Sequence, residues 1–250
     1  MSAGRARGRT APLEIVGRRA GLVVASIPAG MPAEPDRSGA DGSASHELAR
    51  ALGVDAREVH ALSRLDLGAS GLATFAVGAE AKRRGAQLLE RGALTREYAA
   101  LVAPSPSGPA GRWAASVETP RGPRAAATVW RRVGGTAPCR TPAGEVVTPA
   151  LLALTLETGR FHQIRQHAAG AGAPLLGDRR HGGVTRLTRE DGSVVACPRV
   201  ALHALRVTIR FAAGPWQLTD APPRDLVAIW AALGGAAEDW SRGSGAEPGG

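Results

Sequence analysis

Short apolar runs, separated by glycine and proline, limit this chain to a fold with many strands and tight turns. Such runs occupy residues 13–16, 22–25, 72–77, 96–102, 151–156 and 202–211. Runs of this length are typical of β-strands, and the glycines and prolines between them favour turns. Strands and helices do not alternate regularly, as they would in a parallel sheet built from βαβ units. The pattern therefore predicts an α+β domain on a mixed, mainly antiparallel sheet with flanking helices and loops.

Four stretches have the spacing of amphipathic helices. The first can be capped by Ser43 or Ser45 and ends at Gly53. The others cover residues 79–90, 162–169 and 224–230, the last of these after two prolines. We expect a flexible basic arm over residues 1–11, one folded domain over residues 12–233, and a disordered, low-complexity tail over residues 234–250.

The charge balance favours a polyanionic partner. Lys and Arg total 31 against 22 Asp and Glu, a formal net charge of +9, and Lys82 is the single lysine. Arginine pairs with phosphate in two-point geometry, so nucleic acid is the natural partner. The alternative is that codon usage replaced lysine with arginine and the surplus only aids solubility. Charge alone does not decide between the two.

Other classes of protein lack support in the sequence. The two cysteines, Cys139 and Cys197, form no CxxC pattern, so neither a disulfide framework nor a cysteine zinc site is indicated. No run of 18 apolar residues occurs, and the basic N-terminus lacks the apolar centre of a signal peptide. Gly-rich phosphate loops are missing as well, which argues against a nucleotide cofactor. We expect a cytoplasmic protein.

One acidic residue stands where a sheet could hold it against a substrate. Asp66 lies in a turn-rich segment, residues 63–71, directly before the apolar run 72–77. A second segment, residues 158–167, supplies arginines, histidines and amides. We expect the two segments to face each other across one RNA-binding cleft, with Asp66 as the nucleophile. An isolated aspartate in such a segment is more often a turn or cap residue, so the prediction depends on other motifs.

Four motifs in the same order resemble the RluA-type pseudouridine synthases. The first reads Ser63-Arg64-Leu65-Asp66, with Ala69-Ser70-Gly71 after a spacer. Arg96-Glu97-Tyr98-Ala99-Ala100 matches the second motif. Thr158-Gly159-Arg160-Phe161-His162-Gln163-Ile164-Arg165 matches the third, which continues to Gly177-Asp178. Leu202-His203-Ala204 and Ala221-Pro222 are similar to the C-terminal strand and exit. The similarity extends from about residue 13 to residue 229.

The resemblance implies a pseudouridine-synthase-like catalytic domain around a central cleft, and an RNA pseudouridine synthase activity. It assigns the attack on the sugar to Asp66, a guanidinium partner for that acid to Arg165, and uracil stacking with help in the final proton removal to Tyr98. Whether Asp66 forms a covalent adduct or removes a sugar proton stays open. The residues expected to contact RNA are Arg64, Arg160, His162, Gln163, Arg179 and Arg180. No metal or organic cofactor is expected, and the partner is structured ribosomal or transfer RNA, bound by a monomer.

Simpler interpretations of the same residues stay open. Tyr98 would ordinarily be a half-buried strand residue, Arg165 an exposed helix residue, and Asp178 a turn residue. His162 and His167 are five apart, which does not suit a metal site on a helix. The chain also departs from the family pattern, with Ser63 for histidine, Ala69 for threonine, Phe161 for a small polar residue and His181 for tyrosine.

Two rival functions follow from these alternatives. The first is a non-catalytic RNA-binding or ribosome-assembly protein on the same scaffold. The second is a nucleoside or glycoside hydrolase, which would release a free base or sugar and would not rejoin the base to the chain.

Overall fold

The computed structural model describes residues 12–35 and 42–243. The expected N-terminal arm, residues 36–41 and the last residues of the tail therefore lie outside the described residues. No helix within the described ranges combines the length and apolarity needed to cross a membrane.

Strands dominate the described part of the chain. The strands are β1 (Glu14–Arg19), β2 (Leu22–Ile27), β3 (Val59–Ala61), β4 (Ser70–Val77), β5 (Leu94–Val102), β6 (Ala110–Val117), β7 (Arg124–Gly135), β8 (Cys139–Arg140), β9 (Val146–Val147), β10 (Ala150–Leu156), β11 (Arg186–Thr188), β12 (Val194–Ala196), β13 (Leu202–Phe211) and β14 (Gly214–Thr219). The helices are α1 (Ala44–Leu52), α2 (Ala79–Glu90), α3 (Gln163–Gly170), α4 (Arg224–Ala232) and α5 (Glu238–Gly243).

A ten-stranded sheet forms the centre of the protein. Its strands follow the order β1-β2-β4-β13-β5-β10-β7-β6, with β14 beside β13 and β3 beside β4. Every pairing in it is antiparallel except that of β13 with β4. The predicted α+β class and the mixed, mainly antiparallel sheet are confirmed.

Alternating apolar side chains give the sheet two buried faces, as the two-residue period of strands requires. One face carries Leu72, Tyr98 and Leu154 and packs against α2 and α3. The opposite face is covered by α1 at one end, and by α4, α5 and a second small sheet at the other. The segments that carry the site motifs lie at one end of the first face.

Several helices begin and end at the residues that the sequence predicted. Ser43 caps α1 by accepting a hydrogen bond from the His46 amide, and Gly53 ends the helix in a left-handed conformation. The predicted bounds of α2 match the structure, and α4 begins directly after Pro223. Helix α3 begins at Gln163, so His162 precedes the helix and does not lie within it.

Two regions differ from the sequence prediction. The small sheet, ordered β12-β11-β8-β9, was not predicted. Its strands hold only two or three residues each, too few for a two-residue period to show. The prediction of a disordered tail from residue 234 is wrong for residues 238–243, which form α5. Trp240 of that helix is buried against the α4 side of the core.

Candidate active site

Asp66 lies in the turn that leads into β4. Its carbonyl oxygen accepts the Ala69 amide at 2.8 Å, and the Leu67 carbonyl accepts the Gly30 amide at 2.7 Å. Ser63, at the position where the family has histidine, is buried and its hydroxyl accepts the Thr74 amide at 2.9 Å. The turn is thus fixed by hydrogen bonds on both sides, while the Asp66 side chain stays 20% exposed.

The next residues hold that turn against the middle of the sheet. Gly71 pairs with Ala204 where β4 runs parallel to β13, and its φ is +107°. A Cβ at Gly71 would overlap the Ala204 backbone, so only glycine fits there. Beside it, the Ser70 hydroxyl lies 3.0 Å from Nδ1 of the buried His203. The Asp66 turn is therefore attached to the central strand pair.

Arg165 of α3 reaches Asp66 from a segment 99 residues away. Its Nη1 donates to Asp66 Oδ2 at 3.2 Å. Its Nε and Nη2 donate to the two carboxylate oxygens of Asp178, each at 2.7 Å. Both members of this second pair are buried, since the side chains of Arg165 and Asp178 are 8% and 0% exposed. One carboxylate fixes the guanidinium, and the remaining nitrogen faces the candidate acid.

These contacts decide the charges of the pair. Burial by itself would lower the pKa of Arg165, but the hydrogen bonds and charge of Asp178, together with Asp66, raise its pKa above the usual value. For Asp178, burial by itself would raise the pKa. The hydrogen bonds and positive charge of Arg165 outweigh this effect and hold the pKa of Asp178 below its usual range. A permanent positive charge therefore lies beside Asp66.

His162 joins the same cluster. It precedes α3 with a left-handed backbone, φ +49°, which is uncommon for a residue other than glycine. Its Nε2 lies 3.8 Å from Asp66 Oδ1 and 3.0 Å from Arg165 Nη1, and its Nδ1 lies 3.0 Å from Nε2 of His181. Since a guanidinium has only N–H groups to offer, His162 Nε2 accepts and its Nδ1 carries the proton that is donated to His181.

Both histidines are neutral near pH 7. Burial lowers the pKa of His162 to about 4, against the opposing charge of Asp66. Burial also lowers the pKa of His181. The positive charge at Asp66 therefore comes from Arg165, and the two imidazoles act as hydrogen-bonding groups.

Tyr98 lies on the same face of the sheet, two strands from Asp66. It pairs with Ala204 of β13, which in turn pairs with Gly71 of β4. Its side chain is buried, and burial raises the phenol pKa; the charge of Arg96 opposes this shift and that of Asp66 adds to it. The phenol is thus neutral and packs within the core on this face of the sheet, and both predicted roles of Tyr98, stacking on uracil and help in the final proton removal, stay predictions.

Gln163 requires a correction. We predicted an RNA contact, but its side chain is buried and its amide is used within the protein. The nitrogen donates to the Ala127 carbonyl at 2.9 Å and to the Thr128 hydroxyl at 3.0 Å. The oxygen accepts from the Thr158 hydroxyl at 2.7 Å and from the Arg160 amide at 3.0 Å. Gln163 therefore positions the turn before α3 and has no amide group left for RNA.

The four predicted RNA-contacting arginines are exposed. Arg64 pairs with Glu34 at 3.7 Å while its side chain is 66% exposed, and Arg160 donates to the Ala125 carbonyl at 3.4 Å. Arg179 and Arg180 lie in the short turn that begins at Asp178. Their accessibility suits a phosphate backbone, and their contacts with RNA stay a prediction.

Two residues of the cluster, Asp178 and His181, were not predicted from the sequence to belong to the site. Asp178 was interpreted as a turn residue and His181 only as a departure from the family, yet they contact Arg165 and His162 directly. The Gly177-Asp178 continuation of the third motif was the available signal. Within the ranges 12–35 and 42–243, no group of three or more His, Cys, Asp or Glu side chains has a geometry that could hold a metal ion.

The chain is similar to known proteins of one family. A family model described as RNA pseudouridylate synthase matches residues 22–170. The uncharacterized RNA pseudouridine synthase YhcT of Bacillus subtilis is 29% identical over 201 residues, covering 74% of this chain and 60% of YhcT. The tRNA pseudouridine synthase C of Salmonella typhi is 29% identical, covering 61% of this chain and 63% of the relative. The chain thus spans about three fifths of the length of these two relatives.

A longer match comes from the ribosomal large subunit pseudouridine synthase D of Vibrio parahaemolyticus. It is 30% identical over 240 residues, covering 89% of this chain and 71% of the relative. Among solved structures, human RNA pseudouridylate synthase domain containing 1 has a TM-score of 0.67 at 19% identity, covering 95% of this chain and 96% of the human one. That likeness shows the fold. The resemblance to RluA-type enzymes is confirmed, and this chain belongs to the RNA pseudouridylate synthase family.

Proposed function

We propose that this protein is an RNA pseudouridine synthase that isomerises uridines in structured ribosomal or transfer RNA, with Asp66 as its catalytic aspartate. One observation carries the proposal: a partly exposed carboxylate is paired with a buried guanidinium that a second carboxylate, Asp178, holds in place. Family membership supports the reaction, and the geometry of the cluster supports the assignment of roles.

The reaction breaks the N1–C1′ bond that joins uracil to ribose, turns the ring and joins C5 to C1′; C5 loses a proton and N1 gains one, so the product is an isomer of uridine. Cleavage of the N1–C1′ bond develops positive charge on the sugar, and a carboxylate beside C1′ can trap or stabilise that charge. We assign this to Asp66. A covalent adduct at C1′ and removal of a neighbouring sugar proton are both compatible with an ionised Asp66.

Arg165 places a fixed positive charge beside Asp66, 3.2 Å from its carboxylate, where RNA would cover the site. Removing water from a carboxylate favours its neutral form, and a fixed positive charge within hydrogen-bonding distance opposes that change. Asp178 occupies the other two nitrogens of Arg165, so the guanidinium cannot rotate away from Asp66 without breaking two buried hydrogen bonds.

We assign stacking on the uracil to Tyr98, whose strand lies in register with the start of β4, directly after the Asp66 turn. The target base must leave its stack to reach Asp66, which costs about a few kcal/mol. Stacking on an aromatic side chain and phosphate contacts from Arg64, Arg160 and Arg180 offset that cost. We expect the protein to act on ribosomal or transfer RNA in the cytoplasm. We also expect it to be a monomer.

The test uses unmodified transcripts of ribosomal and transfer RNA, incubated with wild type or Asp66→Asn and digested to nucleosides. Wild type forms pseudouridine, and Asp66→Asn, which has the same shape without the charge, lowers the rate by at least about a thousandfold. Asp191→Asn is the matched control, because that carboxylate is exposed in the turn between β11 and β12. Pseudouridine content is measured by mass spectrometry.

The same digest separates the rivals. Equal product from wild type and Asp66→Asn would remove Asp66 from the mechanism. RNA binding without product from either protein would indicate the non-catalytic binding protein. Free uracil with abasic RNA would indicate the hydrolase.

A further inference from the structure

Phe161 is an exposed aromatic ring beside the candidate active site. Within residues 12–35 and 42–243, five large hydrophobic side chains are exposed: Leu67, Val129, Val146, Phe161 and Val194. Leu67 directly follows Asp66, and Phe161 directly precedes His162, whose imidazole lies 3.8 Å from the Asp66 carboxylate. A single apolar side chain with 36% exposure is ordinary on a protein surface, so the case for a binding role depends on the orientation and the neighbours of the Phe161 ring.

The ring is held in a defined orientation. Phe161 and His162 stack with centroids 3.8 Å apart and planes 14° from parallel. His162 is itself fixed by Arg165 at Nε2 and by His181 at Nδ1, each at 3.0 Å. The left-handed backbone of His162 is part of the arrangement that lets two successive rings overlap. The Phe161 ring is therefore backed by a rigid imidazole that also faces Asp66.

The surroundings of the ring suit a nucleobase. The exposed guanidinium of Arg180 lies 5.7 Å from the Phe161 centroid, within the range of a cation–π contact. Unpaired RNA bases are bound by stacking on aromatic rings and on arginine planes, while the phosphates attract the positive charge. An aromatic ring with an exposed, movable guanidinium over it, next to the Asp66 cluster of a basic protein, provides both.

We propose that Phe161, backed by His162 and accompanied by Arg180, is a stacking platform for an unpaired RNA base next to the extruded uridine. This inference rests on the proposed function, because it takes the base beside Asp66 to be the target. It is specific to this chain, since Phe161 stands where the family commonly has a small polar residue. The platform favours target sites in loops, where a neighbouring base is free to stack.

The test compares binding of two RNA probes of equal length, a mixed-sequence single strand and a blunt duplex. Phe161→Leu weakens single-strand binding roughly tenfold, within the range of base–aromatic stacking, and leaves duplex binding unchanged. Phe161→Trp binds like wild type, because it keeps the aromatic face. Val194→Ala in β12 is the control for loss of an exposed apolar side chain.

Salt dependence distinguishes stacking from charge. Phe161→Leu leaves the slope of log affinity against log salt unchanged, whereas Arg180→Gln reduces it by about 0.7 if that arginine neutralises one phosphate. Equal weakening on both probes, no weakening, or a wild type that prefers the duplex would overturn the platform. Running these assays in Asp66→Asn keeps them independent of turnover. The two proposals can then fail separately. The nucleoside digest can show no pseudouridine while Phe161→Leu still weakens single-strand binding, and pseudouridine can form although Phe161→Leu leaves binding unchanged.

Discussion

Replacing Asp178 by asparagine tests the arrangement on which the site depends. Asp178 is fully buried and accepts two hydrogen bonds of 2.7 Å from Arg165. Asparagine has the same shape, but one oxygen becomes an NH₂ group that faces a donor. The variant loses one charge-assisted hydrogen bond, worth about 1.5–3 kcal/mol, and leaves a buried guanidinium with Asp66 as its remaining carboxylate. We expect the free energy of unfolding to fall by about 2–4 kcal/mol.

The same change lowers activity. With Asp178 neutral, Arg165 is no longer fixed at two nitrogens and can shift away from its position at Asp66. Misplacement of a positioned group by about 1 Å can cost on the order of a hundredfold in rate. We therefore expect pseudouridine formation to slow by about 10- to 100-fold, less than for Asp66→Asn.

Urea unfolding of wild type and Asp178→Asn measures the loss of stability, with Asp55→Asn as the control variant. Asp55 makes a similar two-point pair with Arg57, at 3.0 and 2.6 Å, but that pair is exposed and its loss should change stability little. If Asp178→Asn lowers the free energy of unfolding by less than about 1 kcal/mol and retains full activity, the buried pair neither stabilises the fold nor positions Arg165.

The pH dependence of the stability difference between wild type and Asp178→Asn gives a second test. Arg165 holds the folded-state pKa of Asp178 below its usual value, despite burial that would raise it. Its stabilisation is therefore fully present above the unfolded pKa of about 3.9 and is lost as the pH falls through the folded pKa. The stability gap between wild type and Asp178→Asn should shrink on acidification below about pH 4. A constant gap would mean that the charge of Asp178 is not the cause.

Three further predictions concern the scaffold. Gly71→Ala, which would overlap the Ala204 backbone at φ +107°, should lower stability by about 3 kcal/mol or more and reduce activity, as urea unfolding and the nucleoside digest would report. Burial lowers the pKa of His203 to about 4, against about 6.5 in the unfolded chain, so the folded protein holds it neutral. The free energy of unfolding should therefore fall as the pH drops from about 6.5 to about 4, and His203→Gln should reduce this loss of stability in urea unfolding. Trp240→Ala should cost about 3–5 kcal/mol in thermal or urea unfolding, whereas Trp240→Phe should cost little, because its buried indole nitrogen has no hydrogen-bond partner among the described residues.

Local patterns were enough to predict the long elements. The hairpin of β1 and β2, helix α2, strand β13 and helix α4 appear where their periodicity, caps and prolines indicated. In β6 and β7 the sequence indicates only short strand pieces, at Val117 and at residues 126–130, because the rest of β6 consists largely of small residues and β7 includes three arginines. The small sheet and α5 were missed because a two-residue strand or a polar six-residue helix has almost no local signal, and packing against the core stabilises it.

The sequence by itself determined the family, the fold class and the candidates Asp66, Tyr98 and Arg165, since motif identity and apolar spacing are properties of neighbouring residues. Only the tertiary structure decided that Arg165 is held by Asp178, that Gln163 is used inside the protein, and that Phe161 is exposed. Burial and hydrogen-bond partners depend on segments that lie far apart in the chain, and they fix the charges and orientations on which the chemistry depends.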